Sequence, residues 1–200
     1  MSAKLQQPKC LIGFEHINRY WDPVQNVWMA KLLPGQFYIN KSQNEAIATT
    51  LGSCISACIR STKTGVGGMN HFMLPINVDT NRNTDCNNYR YGDVAMDRLL
   101  KDILSFGGAV QDLEIKVVGG GRVLSEGPDV GADNIVFILN YLEMRNLDAK
   151  VEQLGGDYPR KVIYYPSTGR LMIKPIRVQH NITILEREKA YQQQLRTASQ

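Results

Sequence analysis

Residues 51–75, LGSCISACIRSTKTGVGGMNHFMLP, constrain this chain more than any other stretch. Ile55, Ala57 and Ile59 alternate with Ser56, Cys58 and Arg60, the two-residue period of a strand, and the face with Ser56 and Cys58 also carries Cys54. The run Thr62-Lys63-Thr64-Gly65-Val66-Gly67-Gly68 is turn chemistry, and residues 69–74 read as a second short strand closed by Pro75. A hairpin centred near residues 62–65 follows. It brings Cys54 and His71, 17 positions apart, opposite each other or within a residue or two. Neighbouring strands lie about 4.8 Å apart, so side chains sharing a face there come within hydrogen-bonding reach.

The flanking sequence supplies the rest of one domain. Residues 10–38 hold Phe14, Tyr20, Trp21, Trp28, Phe37 and Tyr38 together with Pro23 and Pro34-Gly35, which predicts an aromatic arm with turns packed on the core. Residues 77–91, rich in Asn and Asp, read as an exposed loop. Met96, Leu99, Leu100, Ile103 and Leu104 mark one face of an amphipathic helix ended by Gly107-Gly108. Leu113, Ile115 and Val117 alternate as a strand running into Gly119-Gly120-Gly121. A second helix follows from Ile135, Ile138, Leu139 and Leu142, with Asp133 or Asn134 near its start. Residues 149–154 read as a strand, and residues 162–165 and 170–176 as a hairpin around Pro166-Ser167-Thr168-Gly169. The expected class is α/β (α+β): a single layered domain with helices packed on a mixed, largely antiparallel β-sheet. Its organisation is an arm over 1–40, a catalytic domain over 41–185 and a polar tail over 186–200, the tail being either a solvated helix or disordered.

Composition removes several function classes. With 200 residues and 43% hydrophobic content the chain has apolar mass for one real core. A net charge of +4 suits acidic partners, but no long Lys/Arg run, RNP-like aromatic pattern or zinc-finger spacing points to nucleic acid. No apolar run is long enough to span a membrane, and residues 1–8 are polar and Gln-rich, unlike a secretory signal. The four cysteines, Cys10, Cys54, Cys58 and Cys86, are too sparse for a disulfide framework, which favours reduced thiols and the cytoplasm.

An imidazole beside a thiol lowers its pKa and serves as base and later as acid, the pairing used for acyl transfer from an amide. Gly52 and Ser53 lead into Cys54, where backbone N–H groups are placed to hold an oxyanion. The same spacing also fits a buried structural thiol beside an ordinary strand histidine. A zinc site drawn from Cys54, Cys58, His71 and Cys86 lacks the usual knuckle spacing, so neither metal nor cofactor is expected. Gly119-Gly120-Gly121 has no following Lys-Ser/Thr and reads as a close backbone crossing or a border of the substrate cleft rather than a phosphate loop. His16 and His180 have no catalytic neighbours in sequence, and Cys10, Cys58 and Cys86 read as unreactive thiols.

The motif Thr49-Thr50-Leu51-Gly52-Ser53-Cys54, followed by Gly68-Met69-Asn70-His71-Phe72-Met73-Leu74-Pro75, resembles that of the CheD-type chemoreceptor glutamine deamidases of bacterial chemotaxis. The likeness extends over roughly residues 33–177. It takes in the strand into Gly119-Gly120-Gly121, the helix start Gly131-Ala132-Asp133-Asn134, Gly155-Gly156-Asp157-Tyr158-Pro159-Arg160-Lys161-Val162 and the turn Thr168-Gly169. Asp133 is a departure, since many members have arginine there.

The resemblance implies a protein-glutamine glutaminase, an amidohydrolase in which Cys54 is the nucleophile and His71 its base. An upstream threonine orients the histidine. Thr49 and Thr50 both precede Leu51, and Thr49 is preferred because in an extended segment it points away from Thr50. The implied substrates are glutamines on the cytoplasmic helical bundle of methyl-accepting receptors, and some members also bind a CheC-type phosphatase. Two other classes fit the same residues: a small-molecule amidase or peptidase built on the pair, and an adaptor whose main task is docking.

Overall fold

The computed structural model describes residues 5–76, 88–124 and 126–176, with residues 186, 189 and 190. Most of the expected Asn/Asp-rich loop, Cys86, His180 and nearly all of the polar tail lie outside the described residues.

Among the described residues ten strands sort into two five-stranded sheets. The first is ordered β1 (Asn18–Asp22), β2 (Val27–Lys31), β4 (Glu45–Leu51), β9 (Arg160–Tyr165) and β10 (Arg170–Pro175). The second runs β3 (Phe37–Asn40), β6 (Gly67–Asn70), β5 (Ile55–Ser61), β7 (Leu113–Gly119) and β8 (Ala149–Leu154). Between these strands, among the described residues, β2–β4 and β7–β8 pair in parallel and the other pairings are antiparallel. Helix α1 (Gly92–Leu104) packs on β3, β5 and β6, and α2 (Val130–Met144) lies against α1 and β5. The expected layered α+β domain with helices on mixed, largely antiparallel pairing is the observed one, with a second sheet added.

The first sheet covers one face of the second and the helices cover the other, so the central strands are buried on both sides. Ala95, Met96, Leu99 and Ile103 of α1 are sealed from solvent, as their spacing requires. Helix α2 begins earlier than expected, at Val130. Asp129 caps it by accepting a hydrogen bond from the Ala132 N–H at 3.0 Å, a function that Asp133 and Asn134 do not serve. Residues 18–40, read from their turn signals as an arm, supply β1, β2 and β3 to the two sheets. Phe14 does pack as an aromatic anchor, meeting the Phe37 and Tyr38 rings edge-on at 5.2 and 5.3 Å.

Polar clasps join the sheets at two ends. Tyr38 of β3 donates its hydroxyl to Glu45 of β4 at 2.9 Å, and Glu45 also pairs with Arg19 at 2.5 Å. Burial and the Glu45 carboxylate raise the Tyr38 hydroxyl pKa, so it remains a donor. At the other end Arg60 of β5 donates to the Ser167 carbonyl in the β9–β10 turn and to Glu114 of β7, which Lys116 also contacts. Burial opposes ionisation of Glu114, but its hydrogen bonds to Arg60 and Lys116 outweigh that and hold its pKa below the ordinary value.

That clasp stabilises the fold while Glu114 is ionised. Its contribution is present above the unfolded carboxylate pKa of about 4.3 and is lost as pH falls through the lower folded value. Glu114→Gln should lower stability by about 1–3 kcal/mol at neutral pH. Urea midpoints should show the gap from the wild type narrowing as pH drops below about 4.

Candidate active site

The β5–β6 hairpin sets the register of the site. Cys58 stands opposite Met69, and beyond the strands proper Ile55 still stands opposite Phe72, bonded in both directions at 3.1 and 3.0 Å. The same register puts His71 opposite Ser56 and Cys54 opposite Met73. Alternation then brings Cys54 and His71 onto one face, as diagonal neighbours two positions out of step. Between those pairs Ala57 donates to the Asn70 side-chain oxygen at 2.8 Å, which marks a local opening of the ladder. The opposite face of the hairpin meets the helices through Phe72, whose ring packs edge-on against Phe137 of α2.

His71 faces the first sheet. Its Nδ1 lies 2.7 Å from Thr49 Oγ1, and the Thr49 hydroxyl also donates to the Leu32 carbonyl at 3.0 Å. A carbonyl oxygen can only accept, so the single hydroxyl hydrogen points at Leu32 and the oxygen accepts from the ring. This places the imidazole hydrogen on Nδ1 and the lone pair on Nε2. Thr49 is on the inner face of β4 with Ile47 and Leu51; Thr50 is on the outer face beside Ala48. The threonine that meets His71 is therefore Thr49.

Three glycine-bearing segments fix the backbone before β5. Gly121 N–H donates to the Gly52 carbonyl at 2.8 Å and Gly120 N–H to the Cys54 carbonyl at 2.9 Å. The Ser53 carbonyl accepts from the Asn134 side chain at 3.1 Å, and the same amide reaches the Met73 carbonyl at 2.9 Å. Gly155 N–H bonds to the Gly119 carbonyl, and the Arg160 guanidinium donates to the carbonyls of Gln153 and Gly155. Gly119 has φ +125°, and a Cβ there would stand 2.2 Å from the Cys54 carbonyl oxygen. Only glycine permits this approach. The expected close backbone crossing is thus found, and it falls on Cys54 itself.

Cys54, His71 and Thr49 are all buried, at 2%, 1% and 4% exposure. Thr49 and His71 line a cleft of about 500 Å³ with Tyr20, Lys31, Thr50 and Lys161. Cys54 is not among its lining residues, and Ser53 borders a separate small recess with Gly121 and Arg122. Cys58 is completely buried, and that burial raises its thiol pKa far above the ordinary value. Among the described residues no group of three His, Cys, Asp or Glu side chains is arranged to hold a metal ion.

Sequence reasoning missed the anchoring role of Asn134, which appeared only as part of a helix start. No local signal reveals it, because its partners are 81 and 61 positions away. It also missed Lys31 and Lys161, brought to one cleft by the strand order of the first sheet.

The architecture and this junction between sheets are those of a two-sheet α+β domain organised around a Cys–His hairpin. The chain matches the family described as CheD chemotactic sensory transduction over residues 73–175, a span that opens two residues after His71. A protein of Halorhodospira halophila is 48% identical to it over 193 residues, covering 92% of this chain and 87% of that one. Another, from Hahella chejuensis, is 42% identical over 189 residues, covering 94% and 89%. A third, from Methylobacillus flagellatus, is 41% identical over 182 residues, covering 90% and 89%. All three bear the name "Probable chemoreceptor glutamine deamidase CheD". The chain belongs to the CheD family. Among its described residues no helix is long and apolar enough to cross a membrane.

Asn134→Ala removes both amide anchors and leaves two backbone carbonyls without that donor. It should cost about 1–3 kcal/mol for each carbonyl left buried and unsatisfied, read from urea unfolding. Asn134→Asp should be comparably destabilising at neutral pH, because a carboxylate cannot donate. Cys58 should resist alkylation in the native chain and react once it is unfolded.

Proposed function

We propose that the chain deamidates glutamine side chains of methyl-accepting chemotaxis receptors in the cytoplasm, giving glutamate and ammonia by thioester catalysis. The observation that carries this reading is the bond between Thr49 and His71. With the Thr49 hydrogen committed to Leu32, the imidazole holds its proton on Nδ1 and presents Nε2 as the basic nitrogen. The hairpin register supports the pairing of that base with Cys54, and the family relatives support the substrate class.

In this mechanism Nε2 takes the Cys54 thiol proton, and the thiolate attacks the glutamine Cδ, forming the S–C bond. The carbonyl electrons move to oxygen, where backbone N–H groups at Ser53 and Cys54, with Gly52 shaping the turn, hold the charge. Collapse breaks the C–N bond, and the imidazolium gives its proton to the leaving ammonia. His71 then removes a proton from water, the hydroxyl adds to the thioester, and the S–C bond breaks. Glutamate leaves and the thiolate recovers its proton. The three engaged carbonyls of residues 52–54 favour this assignment, because they fix the peptide planes in advance of substrate. Thr49 acts as a positioning residue that keeps the ring in the working tautomer.

The deciding experiment incubates receptor cytoplasmic fragments with the protein and follows the gain of about 1 Da that accompanies Gln→Glu, together with ammonia release. Cys54→Ala should abolish both signals and remain folded. Thr49→Ala removes one orienting hydrogen bond, worth about 0.5–1.5 kcal/mol, so the initial rate should fall up to about tenfold. Thr50→Ala, on the outer face, should lose less than Thr49→Ala. Substantial deamidation by Cys54→Ala would overturn the covalent route. Full support of chemotaxis by that variant would favour docking, for example to a CheC-type phosphatase, as the main task.

A further inference from the structure

The hairpin register places one polar side chain at the Cys54–His71 pair that the proposed mechanism does not use. Ser56 is sealed from solvent, and among the described residues its hydroxyl has no hydrogen-bond partner. Ile55 and Phe72 exchange both backbone bonds, so the next position along, Ser56 opposite His71, is of the other kind, whose side chains stand close together. On its other flank Ser56 is opposite Val118 of β7, and along β5 its neighbours on the same face are Cys54 and Cys58. Val118 offers no acceptor, and burial keeps Cys58 a neutral thiol, a weak acceptor at best. Cys54 and His71 remain, and both change charge when the thiol proton moves to Nε2.

The facing sheet supplies no partner either. On its inner surface Glu45 of β4 is engaged by Tyr38 and Arg19, and Thr49 by Leu32 and His71. On β9 the Arg160 guanidinium is turned to the carbonyls of Gln153 and Gly155, and burial raises the Tyr164 hydroxyl pKa well above its ordinary value, so Tyr164 stays neutral. A buried hydroxyl left in this state destabilises the resting fold. We infer that it serves the ionised pair: when Nε2 takes the Cys54 proton, Ser56 turns and donates a hydrogen bond to the thiolate. The inference rests on the Cys–His reading of the site and adds a second hydrogen-bonding residue to it. Residues two apart on a strand are separated by about 6.7 Å, and side chains turned toward each other close that gap to the range of a hydrogen bond to sulfur. No proton leaves Ser56. The bond stabilises the sulfur twice, as the nucleophile that forms the S–C bond and as the leaving group when water cleaves the thioester.

The test reads the Cys54 thiolate directly, as the difference in ultraviolet absorbance between a protein and its Cys54→Ala counterpart over a pH series. Ser56→Ala should raise the apparent Cys54 pKa by about one pH unit, a tenfold smaller thiolate fraction at pH below both values. Its urea midpoint should equal or exceed that of the wild type, because no resting hydrogen bond is removed. Deamidation of a receptor fragment should slow about threefold at pH below both values, less than the loss of thiolate, because a more basic thiolate is the stronger nucleophile. That deficit should vanish at pH above both values. An unchanged Cys54 titration in Ser56→Ala would overturn the inference. So would a urea midpoint lowered by the amount of a lost buried hydrogen bond, since the hydroxyl would then be bonded in the resting fold. With deamidation by the wild type intact, either result leaves the enzymatic reading standing. A raised Cys54 pKa in Ser56→Ala, with no deamidation by the wild type, would instead overturn the enzymatic reading and uphold the role of Ser56.

Discussion

Everything at this site depends on how closely one backbone is allowed to approach another. Residue 119 is a glycine because its backbone has φ +125° and a Cβ there would stand 2.2 Å from the Cys54 carbonyl oxygen. That single allowance lets the end of β7 fold over the start of β5, and Gly120 and Gly121 then donate to the carbonyls of Cys54 and Gly52. Around this crossing the Gly155 loop and the Arg160 guanidinium form an outer layer, and Asn134 closes it from the helical side. The segment before β5 is thus held directly by the backbone N–H groups of Gly120 and Gly121 and by the Asn134 side-chain amide, while Gly155 and Arg160 brace the glycine strand end from behind. A loop fixed in this way needs no rearrangement to present its N–H groups, the condition for the electrostatic preorganisation that the proposed mechanism asks of it.

Much of this was legible in the sequence, for reasons that can be named. The hairpin of β5 and β6 was readable because both strands are short, adjacent in sequence and separated by turn residues. The β9–β10 hairpin was readable for the same reason, and α1 because its apolar residues repeat at helical spacing. The strand β4 was not. It is buried on both faces, so Ala46, Ile47, Ala48 and Leu51 give no alternation to read. Residues 18–40 misled in the opposite sense: Pro23 and Pro34-Gly35 do sit in turns, but strands lie between them. Their pairings, such as β3 with β6 and the parallel match of β2 to β4, are made across the fold and leave no local mark.

The catalytic candidates divide along the same line. Cys54 and His71 share a local hairpin, so sequence could bring them together. Thr49 belongs to the other sheet, and only the packing of one sheet on the other sets its Oγ1 against the imidazole. The inner face of β4 carries Glu45 and Thr49 four positions apart, separated by Ile47. Both polar groups find partners across the interface, Glu45 in Tyr38 and Thr49 in His71, as burial demands.

A hydrogen bond that crosses from one sheet to the other makes the proposed base a gauge of the gap between them. Hydroxyl-to-imidazole bonding weakens within a few tenths of an ångström beyond its optimum, whereas apolar side chains on either side adapt to such a change. The clasps at Tyr38–Glu45 and Arg60–Ser167 set that gap without touching the site. The proposed chemistry is therefore tied to the rigidity of the whole sandwich, since whatever loosens the two layers lengthens the Thr49–His71 bond while the apolar contacts still hold.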